Sequence, residues 1–122
     1  MIARLMGLRV ITPVELLSRV QAGTVRVFDV VSAARSPGQR VPGAAHLPSQ
    51  ELEPGDLPPD HDAPLVFYCS GPLCRRAPQA ARRAIALGYR DVRVLSAGIS
   101  GWMAEALPTE PAEPNPGMPP HA

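Results

Sequence analysis

The stretch TVRVFDV, residues 24 to 30, alternates Val25, Val27 and Val30 with Arg26 and Asp29 around Phe28, the period of a short strand whose far end carries a carboxylate. LVFY, residues 65 to 68, is instead apolar throughout and rich in strand formers, as expected of a strand covered on both faces. In APQAARRAIALG the pattern changes again: Ala77, Ala81, Ala84 and Ile85 fall on one helical face, Gln79, Arg82, Arg83 and Ala86 on the other, and Gly88 ends the helix. DVRVL then supplies another strand, SAGISGW a loop running into a helix start, and WMAEAL a last helix before Pro108.

Start and stop signals sharpen the first helix. Ile11 closes a strand, Thr12 stands at the N-cap, Pro13 at the first helical position, Glu15 completes a capping box, and Gly23 lies past the end. Between Ser32 and Pro48 the residues Pro37, Gly38, Pro42, Gly43 and Pro48 impose loop, with a brief strand at Ala44 to His46. Ser49 to Leu52 is expected to form one helical turn, and EPGDLPPDHDAP a surface connection. Strand and helix thus alternate, which predicts an α/β fold with a parallel sheet and helices on both faces. The expected domain is residues 1 to 108; PTEPAEPNPGMPPHA is proline-rich, and residues 109 to 122 are expected to form a disordered tail.

Composition adds limits. A chain of 122 residues with 45% apolar content suits one small domain with a core of its own. The formal net charge is +1 and all 12 basic residues are arginine, so no nucleic-acid footprint is expected. No apolar run reaches membrane-spanning length, and MIARLMGLRV lacks the basic head and apolar core of an export signal. The expected compartment is therefore the cytoplasm, where the two cysteines would normally be reduced thiols.

Those cysteines sit in LVFYCSGPLCRRAP. Cys69 directly follows an apolar strand, and in parallel sheets ligands bind outside the carboxyl ends of strands. Loop N–H groups, the positive end of the following helix, Arg75 and Arg76 all favour a thiolate there. From Ala63 to Arg90 there is no acidic residue, while Arg75, Arg76, Arg82, Arg83 and Arg90 are cationic. A nucleophilic Cys69 with an anionic ligand follows. A core thiol is the competing reading, and Gly71, Pro72 and two arginines make poor core neighbours. Cys74 fits a resolving thiol, a weak donor to bound sulfur, or a small packing residue. His46 and His61 have no metal-ligand spacing with the thiols, so neither a metal nor any other cofactor is expected. Asp29 reads as a loop-bracing acceptor and His46 as a packed or surface histidine.

In order and spacing, FDV at 28 to 30, VPGAAHLP at 41 to 48, VFYCSGPLCRRAPQAA at 66 to 81 and LSAGISGW at 95 to 102, with ALP after it, resemble the single-domain rhodanese family of sulfurtransferases. The similarity runs from Ile11 to Pro108. It implies a rhodanese-like fold with a central parallel sheet of about five strands. It also implies a ping-pong reaction in which Cys69 takes sulfane sulfur from thiosulfate or a persulfide donor and passes it to cyanide or a thiol. Ser70, Gly71, Leu73, Cys74, Arg75 and Arg76 would form the substrate loop, and the partners would be small molecules, with no inference about oligomeric state.

Several positions depart from the family pattern. Val31 stands where an arginine often follows the DV pair, leaving Arg35 or Arg40 to replace its brace. The fifth position after Cys69 is Cys74 in place of arginine, and Arg75 comes sixth. The loop is longer than usual, Pro72 removes one of its N–H groups, and the pair Cys69 and Cys74 resembles a subgroup of the family with two cysteines in the active-site loop. Two alternatives stay open: a non-enzymatic redox or sulfur-carrier module using the Cys69/Cys74 pair, and a Cys-x5-Arg phosphatase or arsenate reductase. Against the latter, the loop lacks the usual glutamate, and no nearby Asp offers itself as general acid.

Overall fold

The computed structural model describes residues 2 to 112. Helix α1 (Ile2–Leu5) and strand β1 (Arg9–Val10) lead into α2 (Pro13–Ala22) and β2 (Arg26–Asp29). After them come β3 (Gln39–Arg40), β4 (Ala45–His46), β5 (Leu65–Tyr68), α3 (Arg76–Ala86), β6 (Val92–Val94), α4 (Gly98–Ala104) and β7 (Glu110–Pro111). Five strands make one sheet in the order β1-β6-β5-β2-β4, and every pairing in it is parallel. The α/β sheet expected from the sequence is present.

Strand β5 lies at its centre, and all four of its residues are buried, which accounts for an apolar run without alternation. Phe28 of β2 stacks on its register partner Phe67, with ring centroids 5.4 Å apart. Helix α3 packs on β5 and β6 and buries Ala77, Pro78, Ala80, Ala81 and Ala84, short side chains that let the helix lie close to the sheet. Ile85 is 48% exposed instead of facing the core. Each residue turns the helix by about 100°, so Ile85 stands roughly a quarter turn from the alanine stripe.

The cap signals of α2 take the expected form. Thr12 Oγ1 accepts the Glu15 N–H at 3.2 Å, and Gly23 adopts the left-handed conformation with φ 69°. Glu15 returns its carboxylate to the Thr12 hydroxyl, at 3.1 Å. The expected helical turn at Ser49 to Leu52 is not formed; a single 3-10 turn lies instead at Pro54–Asp56, where Glu53 and Asp56 make a reciprocal capping box.

Order also continues past Pro108. Strand β7 pairs antiparallel with β3, and Thr109 donates its hydroxyl to Gln39 Oε1 at 2.9 Å. Glu110 Oε1 accepts from both Arg40 Nε and the Gly43 N–H, each at 2.9 Å. The tail expected from its prolines therefore begins as part of the fold, because a carboxylate there meets a cation 70 residues earlier. The rest of that segment, 113 to 122, lies outside the described residues.

Candidate active site

Strand order sets the site. The chain leaves β2 toward β4 at one edge, and leaves β5 through α3 toward β6 on the other side, so connections diverge between neighbouring strands. Such a divergence opens a crevice at the carboxyl ends of the strands. Asp29 ends β2 on one side of it and Cys69 follows β5 on the other.

Cys69 is 2% exposed, and its carbonyl accepts the N–H of Ile99 at 2.9 Å, while that of Ser70 accepts the N–H of Ser100 at 3.0 Å. The start of α4 thereby holds the start of the loop. Gly98 makes this possible: its φ is +67°, and a Cβ there would lie 2.5 Å from the Gly71 nitrogen. The first glycine of SAGISGW thus serves the cysteine loop, a relation visible only once α4 and the loop lie together.

Within the loop, Cys74 donates its N–H to the Gly71 carbonyl at 3.2 Å, closing a turn around Pro72 and Leu73. This turn brings the two sulfurs together: Cys69 and Cys74 form a disulfide, with Cα atoms 6.4 Å apart. The expectation of two free thiols is corrected here, since the loop folds back far enough to bond them. Ala3, Pro78, Val94, Leu95 and Ser96 pack around the pair and leave a depression too tight for a water molecule. Leu73 stands out of the loop at 82% exposure.

The two arginines differ in their contacts. Arg76 Nε donates to the Val30 carbonyl at 2.6 Å and its Nη2 to the Pro48 carbonyl at 3.0 Å, tying the loops after β2 and β4 to the head of α3. Arg76 thus braces these loops from α3, while Arg40 pairs with Glu110 and its charge also acts on the Asp29 carboxyl. Arg75 is exposed, and its guanidinium has no partner among the described residues. No group of His, Cys, Asp or Glu among the described residues could hold a metal ion.

Asp29, at the end of the neighbouring strand β2, holds the loop that follows it. Its Oδ1 accepts the Val31 N–H at 2.8 Å, and its Oδ2 accepts the Tyr68 hydroxyl at 3.0 Å. Tyr68 in turn accepts the Val41 N–H at 3.1 Å. Burial raises the Asp29 carboxyl above its ordinary range despite these donors, and burial together with the Asp29 charge holds the Tyr68 phenol high. His46 Nδ1 stands 4.0 Å from Asp29 Oδ1 and is half exposed. Asp29 is therefore a loop brace, with none of its reach directed to the sulfurs by any hydrogen bond.

A buried cysteine after the central strand of a five-stranded parallel sheet, next to a strand that ends in a loop-bracing carboxylate, defines a class, and sequence comparison gives the same one. The Rhodanese-like domain family matches residues 12–105, and the chain belongs to that family. It is 30% identical over 103 residues to the human thiosulfate:glutathione sulfurtransferase, a match covering 73% of this chain and 88% of that protein. It is 29% identical over 102 residues to the thiosulfate sulfurtransferase GlpE of Actinobacillus succinogenes, covering 84% of this chain and 90% of the relative. The HTH-type transcriptional regulator Rv0324 of Mycobacterium tuberculosis is 37% identical over 106 residues; the match takes in 85% of this chain but only 46% of the regulator, so the chain spans about half its length. Among solved structures, the human single-domain sulfurtransferase TSTD1 superposes with a TM-score of 0.65 at 26% identity, covering 79% of this chain and 96% of that one. No described helix is long and apolar enough to cross a membrane.

Proposed function

We propose that this chain is a sulfurtransferase in which Cys69 accepts sulfane sulfur from thiosulfate or a related donor. The observation that carries this reading is the place of Cys69 at the carboxyl end of the central strand, at the head of the 11-residue helix α3. A thiolate there attacks the outer sulfur of the donor, the sulfur–sulfur bond breaks, sulfite leaves with the electron pair, and Cys69 holds a persulfide. Helix α3 starts without a side-chain cap, and the N–H groups of Gly71, Leu73 and Arg75 have no acceptor among the described residues. Such groups suit the negative charge of a persulfide. Arg75 is the guanidinium available to hold an anionic donor, while Arg76 keeps the loops in place.

The reading is tested by adding thiosulfate to reduced protein and measuring sulfite. A stoichiometric burst is expected from the natural chain and none from Cys69→Ser; equal bursts from both would refute it. A second reading has a specific observation in its favour, since the Cys69–Cys74 bond would serve a redox module read by partners. That reading requires the disulfide to open and close without sulfane sulfur and gives no sulfite burst.

A further inference from the structure

The sulfur proposed to carry the sulfane atom already has a second sulfur against it. Cys69 and Cys74 are bonded with Cα atoms 6.4 Å apart, inside the ordinary span of about 4.4 to 6.8 Å for a disulfide, so the backbone need not move for the two to react. The Cys74 N–H to Gly71 carbonyl bond holds this arrangement, and Pro72 within the turn limits the loop's freedom to open. Access is unequal. Cys69 is 2% exposed under a packed lining, whereas Cys74 is only partly buried and follows the protruding Leu73. An acceptor from solution must part this lining to reach a persulfide on Cys69; Cys74 meets it from within.

Resting on the reading of Cys69 as sulfane acceptor, we propose that Cys74 is the resolving thiol and that the chain releases the acquired sulfur as inorganic sulfide. The Cys74 thiolate attacks Cys69 Sγ of the persulfide, and the Cys69–Cys74 bond forms. The bond from Cys69 Sγ to the outer sulfur breaks, and its electron pair leaves with that sulfur, which departs as hydrosulfide with the proton given up by Cys74. The sulfane sulfur is reduced by two electrons and the cysteine pair is oxidised by two. A thiol reductant then attacks Cys74, the less buried of the two residues, and Cys69 leaves as a thiolate at the head of α3. A second thiol cleaves the mixed disulfide and frees Cys74. Over one cycle, thiosulfate and two thiols become sulfite, hydrogen sulfide and one disulfide. The structure observed is the resolved state of this cycle.

The test uses reduced, desalted protein without oxygen, one equivalent of thiosulfate and no acceptor, with sulfite, sulfide and intact mass measured together. The natural chain is expected to release sulfide in step with sulfite and to end lighter by two hydrogens; dithiothreitol then restores a second turnover. Cys74→Ser is expected to release sulfite, retain the mass of one sulfur, and yield at least about tenfold less sulfide. Cys74→Ala repeats the comparison if serine disturbs the turn. Sulfite release with the extra sulfur retained on the natural chain and no sulfide would overturn this proposal and leave sulfur transfer intact. Absence of sulfite would instead overturn the transfer reading and, with it, this one.

Discussion

Replacing Gly98 by alanine tests how the loop is held. Gly98 has φ +67° and Gly23 has φ +69°, so the left-handed strain on an added side chain is nearly the same at both, roughly 1–2 kcal/mol. The surroundings differ: a Cβ at Gly23 meets nothing within 4 Å, whereas one at Gly98 comes within 2.5 Å of the Gly71 nitrogen and 2.7 Å of the Ser70 carbonyl carbon. Both are backbone atoms of the cysteine loop, which must retreat by about 0.9 Å to reach ordinary contact at 3.4 Å. Overpacking of this kind adds about 1–3 kcal/mol. Gly98→Ala is therefore expected to lose about 2–5 kcal/mol against about 1–2 kcal/mol for Gly23→Ala, a large part of a small domain's stability. Urea unfolding of both variants measures the difference, and the sulfite burst reads the loop; displacement near 1 Å can cost about 100-fold in rate, so Gly98→Ala should be slowed at least about tenfold. Equal midpoints for the two variants, with full activity in Gly98→Ala, would refute the argument.

Other perturbations separate the remaining roles. Arg76→Ala removes two donors from loop carbonyls and should cost about 2–4 kcal/mol in urea, whereas Arg75→Ala should change stability by less than about 0.5 kcal/mol and raise KM for thiosulfate by about three- to tenfold, an effect that shrinks with salt. Tyr68→Phe leaves the buried Asp29 with one donor fewer and should lose about 1–3 kcal/mol, measured by the same unfolding series. Asp29 has a folded-state pKa raised above its ordinary 3.8 by burial. Its contribution to stability is thus full below pH 3.8 and is lost as pH rises through the raised value. The difference in unfolding free energy between natural chain and Asp29→Asn should fall across that window; a rise would reverse the sign assigned to burial. Glu110→Gln, which weakens the hold on Arg40 and Gly43, should cost about 0.5–1 kcal/mol and loosen β7, seen as faster amide exchange at Ala112.

Local signals in the sequence carried most of the frame. Thr12, Pro13 and Gly23 fix the ends of α2 through contacts within a few residues, and the apolar run before Cys69 marks a strand covered on both faces. The position of Cys69 follows from those elements alone. What stayed hidden depends on residues far apart in the chain. In sequence Arg76 reads as a substrate group because it neighbours Arg75, yet its donors end on Val30 and Pro48, 46 and 28 residues away. Glu110 sat in a stretch whose prolines argued for disorder, and its two contacts with Arg40 and Gly43 cannot be read from composition. The spacing of Cys69 and Cys74 allowed a bond without requiring one; the turn from Gly71 to Cys74 decides it. Ile85 is exposed for a simpler reason, since an apolar residue at the flank of a helical stripe fits either side of the boundary.

Uptake of sulfane sulfur by Cys69 is read without interference in the Cys74→Ser chain, because nothing within the loop can then discharge it. After reduction and treatment with thiosulfate, peptide mass spectrometry should find one additional sulfur on the fragment containing Cys69, removed by cyanide. An unmodified Cys69 fragment beside fully folded protein would mean that Cys69 does not accept sulfane sulfur.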